Sequence, residues 1–409
     1  MLRGRRAVVI NWRDLGHSLA GGSERYAWEC ALALREGGAE VEFLTARDTG
    51  QRAHEVVDGI VVRRRGSQFG FYPAVWARLL RARWGRRRRY DVVIDAENGI
   101  PVFSPLILPR RTAIVLVMHH VHQDQFATYF SRPLAALGQW LERVLMPRVY
   151  ADRPTICVSE STHDEMRAQL GWSPPLLLVP NGAERAVEQA ADAEPASSAD
   201  PAGPDPAKVH VLVLGRIAPH KRVDDVIRAF ARVATERDDL HLDIVGHGPI
   251  MDELERVIVE TGCSGRVTIH GFLPEEDKRR VLRLARLNVA GSDAEGWGQV
   301  VVESAAYGVP TLARDVPGLR DSVRPGLTGW LVDAPFAVDD LPDRLAAGLR
   351  SALAETDDEE RRDELAQHCR EWAAQFSWSA TRRRVREIAA AELGRRSELG
   401  HHEGAVAAR

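Results

Sequence analysis

The chain has 409 residues, of which 44% are hydrophobic and 28% are charged, and its formal net charge is −3. This length predicts two domains, and the composition is that of a globular protein with cores of ordinary size. Four scattered cysteines without Cys-x-x-Cys spacing exclude a disulfide scaffold and an ordinary zinc cluster, and they favour a reducing cytosol. The slightly acidic balance and the lack of a recognition motif argue against nucleic-acid binding, and we expect none.

Targeting and membrane signals are weak in the sequence. The apolar run at residues 7–10 is too short for the core of a signal peptide. No window reaches the roughly 18–20 apolar residues of a membrane span. We therefore expect a cytoplasmic protein, with peripheral contact at the inner face of the membrane left open. Residues 1–190 are net basic and the remainder is net acidic, which indicates an anionic partner for the first half.

Short apolar runs alternate with helical patterns along most of the chain, which is typical of parallel α/β sheets. A helix is predicted over residues 24–36, where apolar side chains share one face, and others over 223–235 and 299–307. The predicted strands are 7–10, 41–45, 60–62, 92–95, 113–119, 155–159 and 176–179 in the first half, and 209–214, 242–245, 267–269, 288–290, 311–313 and 330–332 in the second.

A break in composition divides this alternation at residues 186–207, which are rich in Ala, Pro, Asp and Ser and predict a flexible linker. The fold class is therefore α/β, with two Rossmann-like doubly wound domains facing across a cleft. Ligands bind such sheets beyond the carboxyl ends of their strands. The predicted order is an N-terminal Rossmann-like domain at 1–185, the linker, a second Rossmann-like domain at 208–375, a C-terminal helix at 376–394 that we expect to pack back on the first domain, and a disordered tail at 395–409.

Residues 295–303, EGWGQVVVE, follow a predicted strand and open a helix. Gly296 and Gly298 let the backbone approach a ligand closely, and the helix start offers free amides to a diphosphate. Glu303, about one turn into the helix, is placed to accept two vicinal hydroxyls, and Glu295 is placed to accept hydroxyls of a sugar. Two glutamates eight residues apart also occur by chance on a solvated helix face. The strand, the glycines and the helix together favour the functional interpretation.

Residues 215–221, GRIAPHK, follow the first strand of the second domain. Cleavage of a sugar nucleotide builds negative charge on the leaving diphosphate. Arg216 and Lys221, just beyond Gly215, are placed to stabilise that charge. The alternative is that both are ordinary surface bases. Arginine is common in this chain, but lysine is rare, so Lys221 carries more weight.

Two segments of the first half also follow strands. Gly21 and Gly22 precede the first helix and allow close approach to a phosphate or sugar, although a flexible turn capped by Ser23 explains them nearly as well. His119 and His120 end the strand at 113–119 and offer a ring or a carbonyl to a sugar hydroxyl. With His122 they place three histidines within four residues, but no carboxylate cluster lies nearby in the sequence and there is no Asp-x-Asp triplet. We therefore predict no metal site and no cofactor.

These segments, in this order, resemble family 4 of the retaining glycosyltransferases, which have the two-domain GT-B fold. The resemblance runs from residue 12 to residue 378 and includes the segments at 179–182, 271–274, 308–310 and 316–321. It implies that the domain at 1–185 binds the acceptor and that the domain at 208–375 binds the nucleotide sugar. Arg216 and Lys221 would hold the donor diphosphate, with Gly215, Gly21 and Gly22 near it. Glu295 and Gly296 would meet the donor sugar, with the amides of Trp297, Gly298 and Gln299, and His119 would lie against the transferred sugar. Glu303 would bind the ribose, Phe272 and Leu273 would lie near the base, and His120 and Asn98 would contact the acceptor.

The resemblance further implies metal-independent transfer with retention, in which the acceptor hydroxyl attacks the face that the diphosphate leaves. It favours UDP over GDP as the donor nucleotide, with a saccharide, a lipid-linked molecule or a secondary metabolite as acceptor. A nucleotide-sugar epimerase of related fold is the alternative enzyme, and a sugar-nucleotide-binding pseudoenzyme is the alternative without catalysis. An epimerase needs no acceptor, and the spaced pair Glu295 and Glu303 favours the transferase over it. The pseudoenzyme is disfavoured because every group that the transferase requires is present.

Two further segments bear on the acceptor. Residues 76–90 hold seven arginines and no acid, which suits either an anionic membrane surface or a solvated basic helix. Residues 125–150 carry an aromatic and aliphatic stripe, which suits either a groove for a partly apolar acceptor or buried core.

Overall fold

The computed structural model describes residues 2–18, 20–67, 70–85, 89–97, 99–183, 205, 207–333 and 340–407. The chain forms two compact units, of which the first comprises Met1–Gly182 with Trp378–Arg409 and the second comprises Ala183–Ser377. The predicted linker at 186–207 falls almost wholly outside the described residues. Within the described ranges, no helix combines the length and the hydropathy needed to cross a bilayer.

The first unit is built on a sheet of eight strands in the order β3-β4-β2-β1-β5-β6-β7-β8, in which every neighbouring pair is parallel except β3 and β4. The strand order reverses between β1 and β5, as in a doubly wound fold. The strands are β1 (Arg6–Ile10), β2 (Glu40–Thr45), β3 (His54–Val57), β4 (Ile60–Arg64), β5 (Val92–Glu97), β6 (Ala113–Met118), β7 (Thr155–Cys157) and β8 (Leu176–Leu178).

The first unit also carries most of the short helices of the chain. A π-helix (Leu141–Leu145) follows α5 without a break, and a long C-terminal helix (Trp378–Ala407) packs on α1 and β6. The other helices are α1 (Gly22–Glu36), α2 (Phe71–Trp84), α3 (Ser104–Ile107), α4 (Gln123–Tyr129), α5 (Arg132–Trp140), α6 (Met146–Val149) and α7 (Glu160–Leu170).

The C-terminal helix extends well beyond its predicted end at residue 394. The prediction of a disordered tail from residue 395 was wrong, because the helix continues to Ala407. Arg396 is 1% exposed and donates to Glu392 at 2.6 Å and to Asp152 at 2.9 Å. A buried guanidinium that is paired with two carboxylates holds this part of the helix on the first unit. Apolar periodicity, on which the prediction rested, does not report such contacts.

The strand β3 was also missed. It is only four residues long and mostly exposed, and it pairs antiparallel with β4 at the edge of the sheet. The turn between them is Asp58-Gly59, and both residues have positive φ (49° and 72°). Asp-Gly is the preferred sequence of a two-residue hairpin with this geometry. The turn signal was therefore present in the sequence, whereas the apolar alternation of a strand was not.

The second unit is built on a fully parallel sheet in the order β11-β10-β9-β12-β13-β14, which reverses between β9 and β12. Its strands are β9 (Val209–Leu214), β10 (Leu240–Val245), β11 (Val267–Gly271), β12 (Ala285–Ala290), β13 (Thr311–Arg314) and β14 (Gly329–Val332). Its helices are α8 (Val223–Ala234), α9 (Met251–Glu260), α10 (Glu275–Leu284), α11 (Gln299–Ala306), α12 (Leu319–Ser322), α13 (Leu341–Asp357) and α14 (Glu359–Ala373), and a 3₁₀ turn covers Pro219–Lys221.

The core of each unit lies between its sheet and its helices. The central strands β9 and β10 bury Val211, Leu242 and Ile244 completely, and Phe230 of α8 packs in the same cluster. Strands that are covered on both faces appear in the sequence as continuous apolar runs. This is why every predicted strand overlaps an observed one, and why two parallel α/β sheets were predictable from the sequence.

Candidate functional site

The loops that follow β9 and β12 lie side by side at the point where the second sheet reverses its order. This edge of a doubly wound sheet is where ligands bind. A small pocket occupies the position, with apolar residues of the two strands beneath it. Beyond the strands it is lined by Val300 of α11 and by the residues Gly215, Arg216, Ile217, Lys221, Gly291, Ser292 and Glu295 that follow β9 and β12.

The loop after β9 is held in place by the loop after β10. The amide of Gly215 donates to the carbonyl of Val245, and the amide of Ile217 donates to that of His247, both at 3.0 Å. A Cβ on Gly246 would lie 1.8 Å from the carbonyl oxygen of Gly215, and one on Gly248 would lie 1.8 Å from that of Ile217. Only glycine permits this approach, so the two loops fix the backbone around Arg216.

Lys221 and Glu295 form an ion pair at the pocket, with side chains that are 20% and 17% exposed. The hydroxyl of Ser292 also donates to Glu295, at 2.9 Å. Burial raises the pKa of Glu295, but the Lys221 ammonium and the hydrogen bonds outweigh it, so the pKa lies below its usual value. Glu295 is therefore a carboxylate at neutral pH, and it holds a cation at the pocket. The structure thus brings Gly215, Arg216, Lys221 and Glu295 together, as the sequence predicted.

Asp293, in the loop after β12, binds residues of the segment that follows β9. It accepts hydrogen bonds from Arg222 at 3.0 Å and from Arg314 at 2.6 Å, and its amide donates to the carbonyl of His220 at 2.8 Å. Ser292, Asp293, Arg222 and Arg314 were all missed from the sequence. Ser292 and Asp293 could have been proposed as site residues because they lie just after a strand. Arg222 and Arg314 gave no such signal, because charged residues are common throughout the chain.

The glycine-rich segment leads into α11. Gly298 has φ 53° and immediately precedes the helix, and a Cβ there would lie 2.2 Å from the hydroxyl of Ser322. Trp297 is 7% exposed and packs edge-on against Phe376, with ring centroids 5.0 Å apart. The indole therefore anchors the segment, while Gly296 and Gln299 stay partly exposed beside the pocket. A helix start next to Lys221 suits an anionic ligand.

The predicted ribose and base contacts lie further along the same edge. Glu303, on α11, forms an ion pair with Lys278 of α10, and its side chain is 24% exposed. Lys278 was not predicted; it also binds Glu275, at 2.9 Å. Phe272, directly after β11, is 86% exposed, whereas Leu273 packs against a small apolar cluster. An aromatic ring in this position is available for stacking on a base.

In the first unit, Gly21 and Gly22 lie at the start of α1. The amide of Gly21 donates to Glu24 at 2.7 Å, and Arg13 binds the other oxygen of that carboxylate at 2.8 Å. The alternative of a turn capped by Ser23 was wrong, because Ser23 lies inside the helix and no side chain caps its start. The buried Glu24 orders this turn in place of a cap.

His119 directly follows β6 and is 5% exposed. Burial lowers its pKa to about 3, so the ring is neutral at physiological pH. Its Nε2 has no hydrogen-bond partner among the described residues, and its ring stands edge-on to Tyr26 at 5.4 Å. His120 is half-buried and its Nε2 lies 3.2 Å from Gln125. Asn98, the other predicted acceptor contact, lies outside the described residues.

His122 lies in a carboxylate cluster that the sequence did not predict. Its Nδ1 is 3.3 Å from Glu97 and 3.4 Å from Glu142, and all three residues are buried. Burial raises the pKa of Glu142 to about 7, raises that of Glu97 well above its usual value, and lowers that of His122 to about 3. The expectation that no carboxylates accompany these histidines was wrong, because Glu97 and Glu142 are far from His122 in sequence and only the fold brings them together.

Comparison with known proteins agrees with this geometry. Residues 21–182 match the family model described as "Glycosyl transferase 4-like domain", and residues 199–372 match "Glycosyl transferases group 1". The alpha-D-kanosaminyltransferase of Streptomyces kanamyceticus is 29% identical over 76% of this chain and 81% of its own length. The D-inositol 3-phosphate glycosyltransferase of Gordonia bronchialis is 30% identical over 88% of this chain and 82% of its own.

Solved structures show a similar fold. Sucrose-phosphate synthase from Thermosynechococcus elongatus superposes with a TM-score of 0.69 at 19% identity, over 98% of this chain and 100% of that structure. With both halves matched by glycosyltransferase models, and with two doubly wound sheets of the expected order, the chain belongs to the family 4 glycosyltransferases and has the GT-B fold.

Proposed function

We propose that this glycosyltransferase moves a hexosyl group, with retention of configuration, from a nucleotide sugar to an acceptor hydroxyl, without a catalytic metal. The observation that carries the proposal is the Lys221–Glu295 pair beside Arg216 at the reversal point of the second sheet. Two fixed cations and a carboxylate, placed together at a helix start, suit a diphosphate that is linked to a sugar.

In this mechanism, Arg216 and Lys221 hold the diphosphate and stabilise the negative charge that grows on it as the glycosidic bond breaks. Glu295 accepts hydrogen bonds from hydroxyls of the transferred sugar. The acceptor oxygen bonds to the anomeric carbon on the face that the diphosphate leaves, and the acceptor proton passes to a departing phosphate oxygen. Glu295 stays ionised throughout, since its lowered pKa makes it a poor proton donor.

The nucleoside half of the donor is assigned to the other end of this edge. Phe272 offers an exposed ring to the base, and Glu303 accepts hydrogen bonds from the ribose hydroxyls. Lys278 forms an ion pair with Glu303 and fixes that carboxylate in place for those hydrogen bonds. UDP is proposed over GDP on the family resemblance alone.

The acceptor is proposed to be a saccharide, a lipid-linked molecule or a secondary metabolite. The printed name of one relative includes inositol 3-phosphate, an anionic polyol. An anionic acceptor of this kind fits the net basic character of residues 1–190. His119 presents a neutral ring to sugar hydroxyls, which suits recognition by hydrogen bonding better than by charge.

The proposal is tested by calorimetry and thermal shift of the purified protein with UDP-, GDP-, ADP- and dTDP-sugars in EDTA. We expect one nucleotide class to bind, with UDP sugars the tightest, and product analysis by NMR to show retention at the anomeric carbon. Failure of well-folded protein to bind any of these donors would favour the pseudoenzyme. Conversion of the donor sugar without an acceptor would favour the epimerase.

Peripheral contact with an anionic membrane is a second part of the proposal, and α5 supports it. Leu134, Leu137 and Trp140 are about half exposed (51%, 51% and 50%). Exposed arginines, Arg132 and Arg143, flank them. Apolar side chains bordered by basic ones suit the surface of an anionic bilayer. The predicted basic segment at 76–90 gives less support for membrane contact. Arg78 is bound to Glu42, and Arg83 is bound to the carbonyl of Ile107. Residues 86–88 lie outside the described ranges.

Sedimentation with phosphatidylcholine vesicles, with and without phosphatidylglycerol, tests this contact. We expect binding that requires the anionic lipid, falls as salt is raised, and is lost in the double variant Leu137→Ser/Trp140→Ser. The matched control is Val259→Ser, which removes an exposed apolar side chain from the second unit. Equal sedimentation of the double variant and the control would show that α5 does not contact lipid.

A further inference from the structure

The first unit contains a buried group of metal-ligating side chains that donor binding does not use. Glu97 ends β5, His122 lies at the start of α4, and Glu142 lies on the π-helix. One ligand atom from each residue lies within 4.8 Å of the others. The three come from separate segments of the chain, so the fold itself assembles the group.

The polar atoms at the centre of this group lack ordinary partners. Glu97 is 0% exposed, and its carboxylate faces the amide of Gly99, but neither oxygen has a hydrogen bond of normal geometry from the described residues. The Nδ1 of His122 is also buried without one. Burying such groups without partners destabilises the folded chain, so each one calls for an explanation. The carboxylates of Glu142 and Asp95 lie close enough to Glu97 to disfavour its negative charge.

The distances suit a small cation. With bonds of about 2.0–2.2 Å at tetrahedral angles, the ligand atoms of Zn²⁺ lie about 3.3 Å apart. The Nδ1 of His122 lies 3.3 Å from Oε1 of Glu97 and 3.4 Å from Oε1 of Glu142. We propose that Glu97, His122 and Glu142 bind a divalent transition-metal ion, with Zn²⁺ as the best fit.

The surroundings orient the ligands. Oε1 of Glu142 also accepts a hydrogen bond from the amide of His122 at 2.7 Å, and Oε2 accepts one from Gln123 at 2.5 Å. The ring of His120 stacks on that of His122, with centroids 3.9 Å apart. Hydrogen bonds and packing of this kind hold metal ligands in a fixed orientation. A π-helix is a rare element that often occurs at functional positions, and here it carries Glu142.

One imidazole and two carboxylates favour Zn²⁺ over Mg²⁺, which prefers six oxygens, several of them from water. Three protein ligands leave a fourth position for water or for a hydroxyl of a bound molecule. The ion ties β5, α4 and the π-helix together and neutralises the buried carboxylates. This site uses none of the residues that the second unit contributes to the proposed donor chemistry.

The test uses the full-length, untagged protein, stripped with a chelator and then titrated with Zn²⁺ by calorimetry. We expect one equivalent to bind and the unfolding temperature to rise. Co²⁺ in place of Zn²⁺ is expected to give the intense visible absorption of a tetrahedral or five-coordinate site. Glu97→Gln and Glu142→Gln, which conserve size, are each expected to weaken Zn²⁺ binding at least 10-fold. His163→Gln removes a partly exposed histidine that pairs with Asp164, and it is expected to bind as the wild type does.

The proposal fails if the stripped protein takes up less than a stoichiometric amount of Zn²⁺, or if both glutamine variants bind as tightly as the wild type. The first result would mean that the cluster shares a proton instead of a metal, and the second that the metal binds elsewhere. Donor binding is measured in EDTA, in the absence of the zinc ion, and the donor-binding residues Lys221 and Glu303 are not zinc ligands. Failure of the zinc site is therefore distinguishable from failure of the glycosyltransferase assignment.

Discussion

Replacing Lys221 with alanine is expected to lower kcat about 10²–10³-fold, which is the usual effect of removing one preorganised charge-stabilising donor. The Kd for the donor is expected to rise much less. The reason is that negative charge on the diphosphate grows as the glycosidic bond breaks, so the ammonium stabilises the transition state more than the bound donor. Steady-state kinetics at saturating acceptor, with calorimetry for the donor, separate the two effects.

The chain provides a matched control for this experiment. Lys208, one of the few lysines, lies near the surface of the same unit and donates to the carbonyl of Asp238. Lys208→Ala removes the same charge and is expected to keep wild-type kinetics. Lys221→Arg keeps the charge and is expected to recover part of kcat. A Lys221→Ala enzyme with unchanged kcat would rule out a catalytic role for the Lys221–Glu295 pair.

Replacing Glu303 with alanine is expected to weaken nucleotide binding about 100-fold, or about 2.7 kcal/mol, because two hydrogen bonds from the ribose to a charged acceptor are lost. At saturating donor, kcat is expected to change little, since the ribose contacts are the same in the ground state and the transition state. Calorimetry with UDP and with the intact nucleotide sugar measures the loss, which should be similar for both.

Two variants distinguish the ribose contact from a structural role. Glu275→Ala removes the other carboxylate partner of Lys278 and leaves Glu303 in place, so it is expected to bind nucleotide normally. Glu303→Gln keeps the size and loses the charge, and we expect intermediate affinity. If Glu275→Ala weakened binding as much as Glu303→Ala, the effect would come from the loss of order around Lys278, and the ribose assignment would be wrong.

Much of the proposed donor site could be predicted from the sequence because its residues follow strands. Gly215 and Arg216 come directly after β9, and Phe272 comes directly after β11. In parallel sheets, loops at the carboxyl ends of strands meet at one edge, so position in the sequence translates into position in space. The glycines at this edge could also be predicted from the sequence. They lie where the backbone needs positive φ or a close approach to another group, as at Gly298.

The sequence by itself determined the two α/β units, the strand positions and the family, because these depend on local apolar patterning and on short motifs. Only the tertiary structure decided which charges meet. Lys221 and Glu295 lie 74 residues apart, Lys278 reaches Glu303 from another helix, and Glu97, His122 and Glu142 come from three segments. Such pairings depend on how loops and helices pack, to within a few tenths of an ångström, and no local pattern encodes them. The same limit explains why the C-terminal helix was predicted too short, since the contacts of Arg396 that hold it lie on a distant part of the chain.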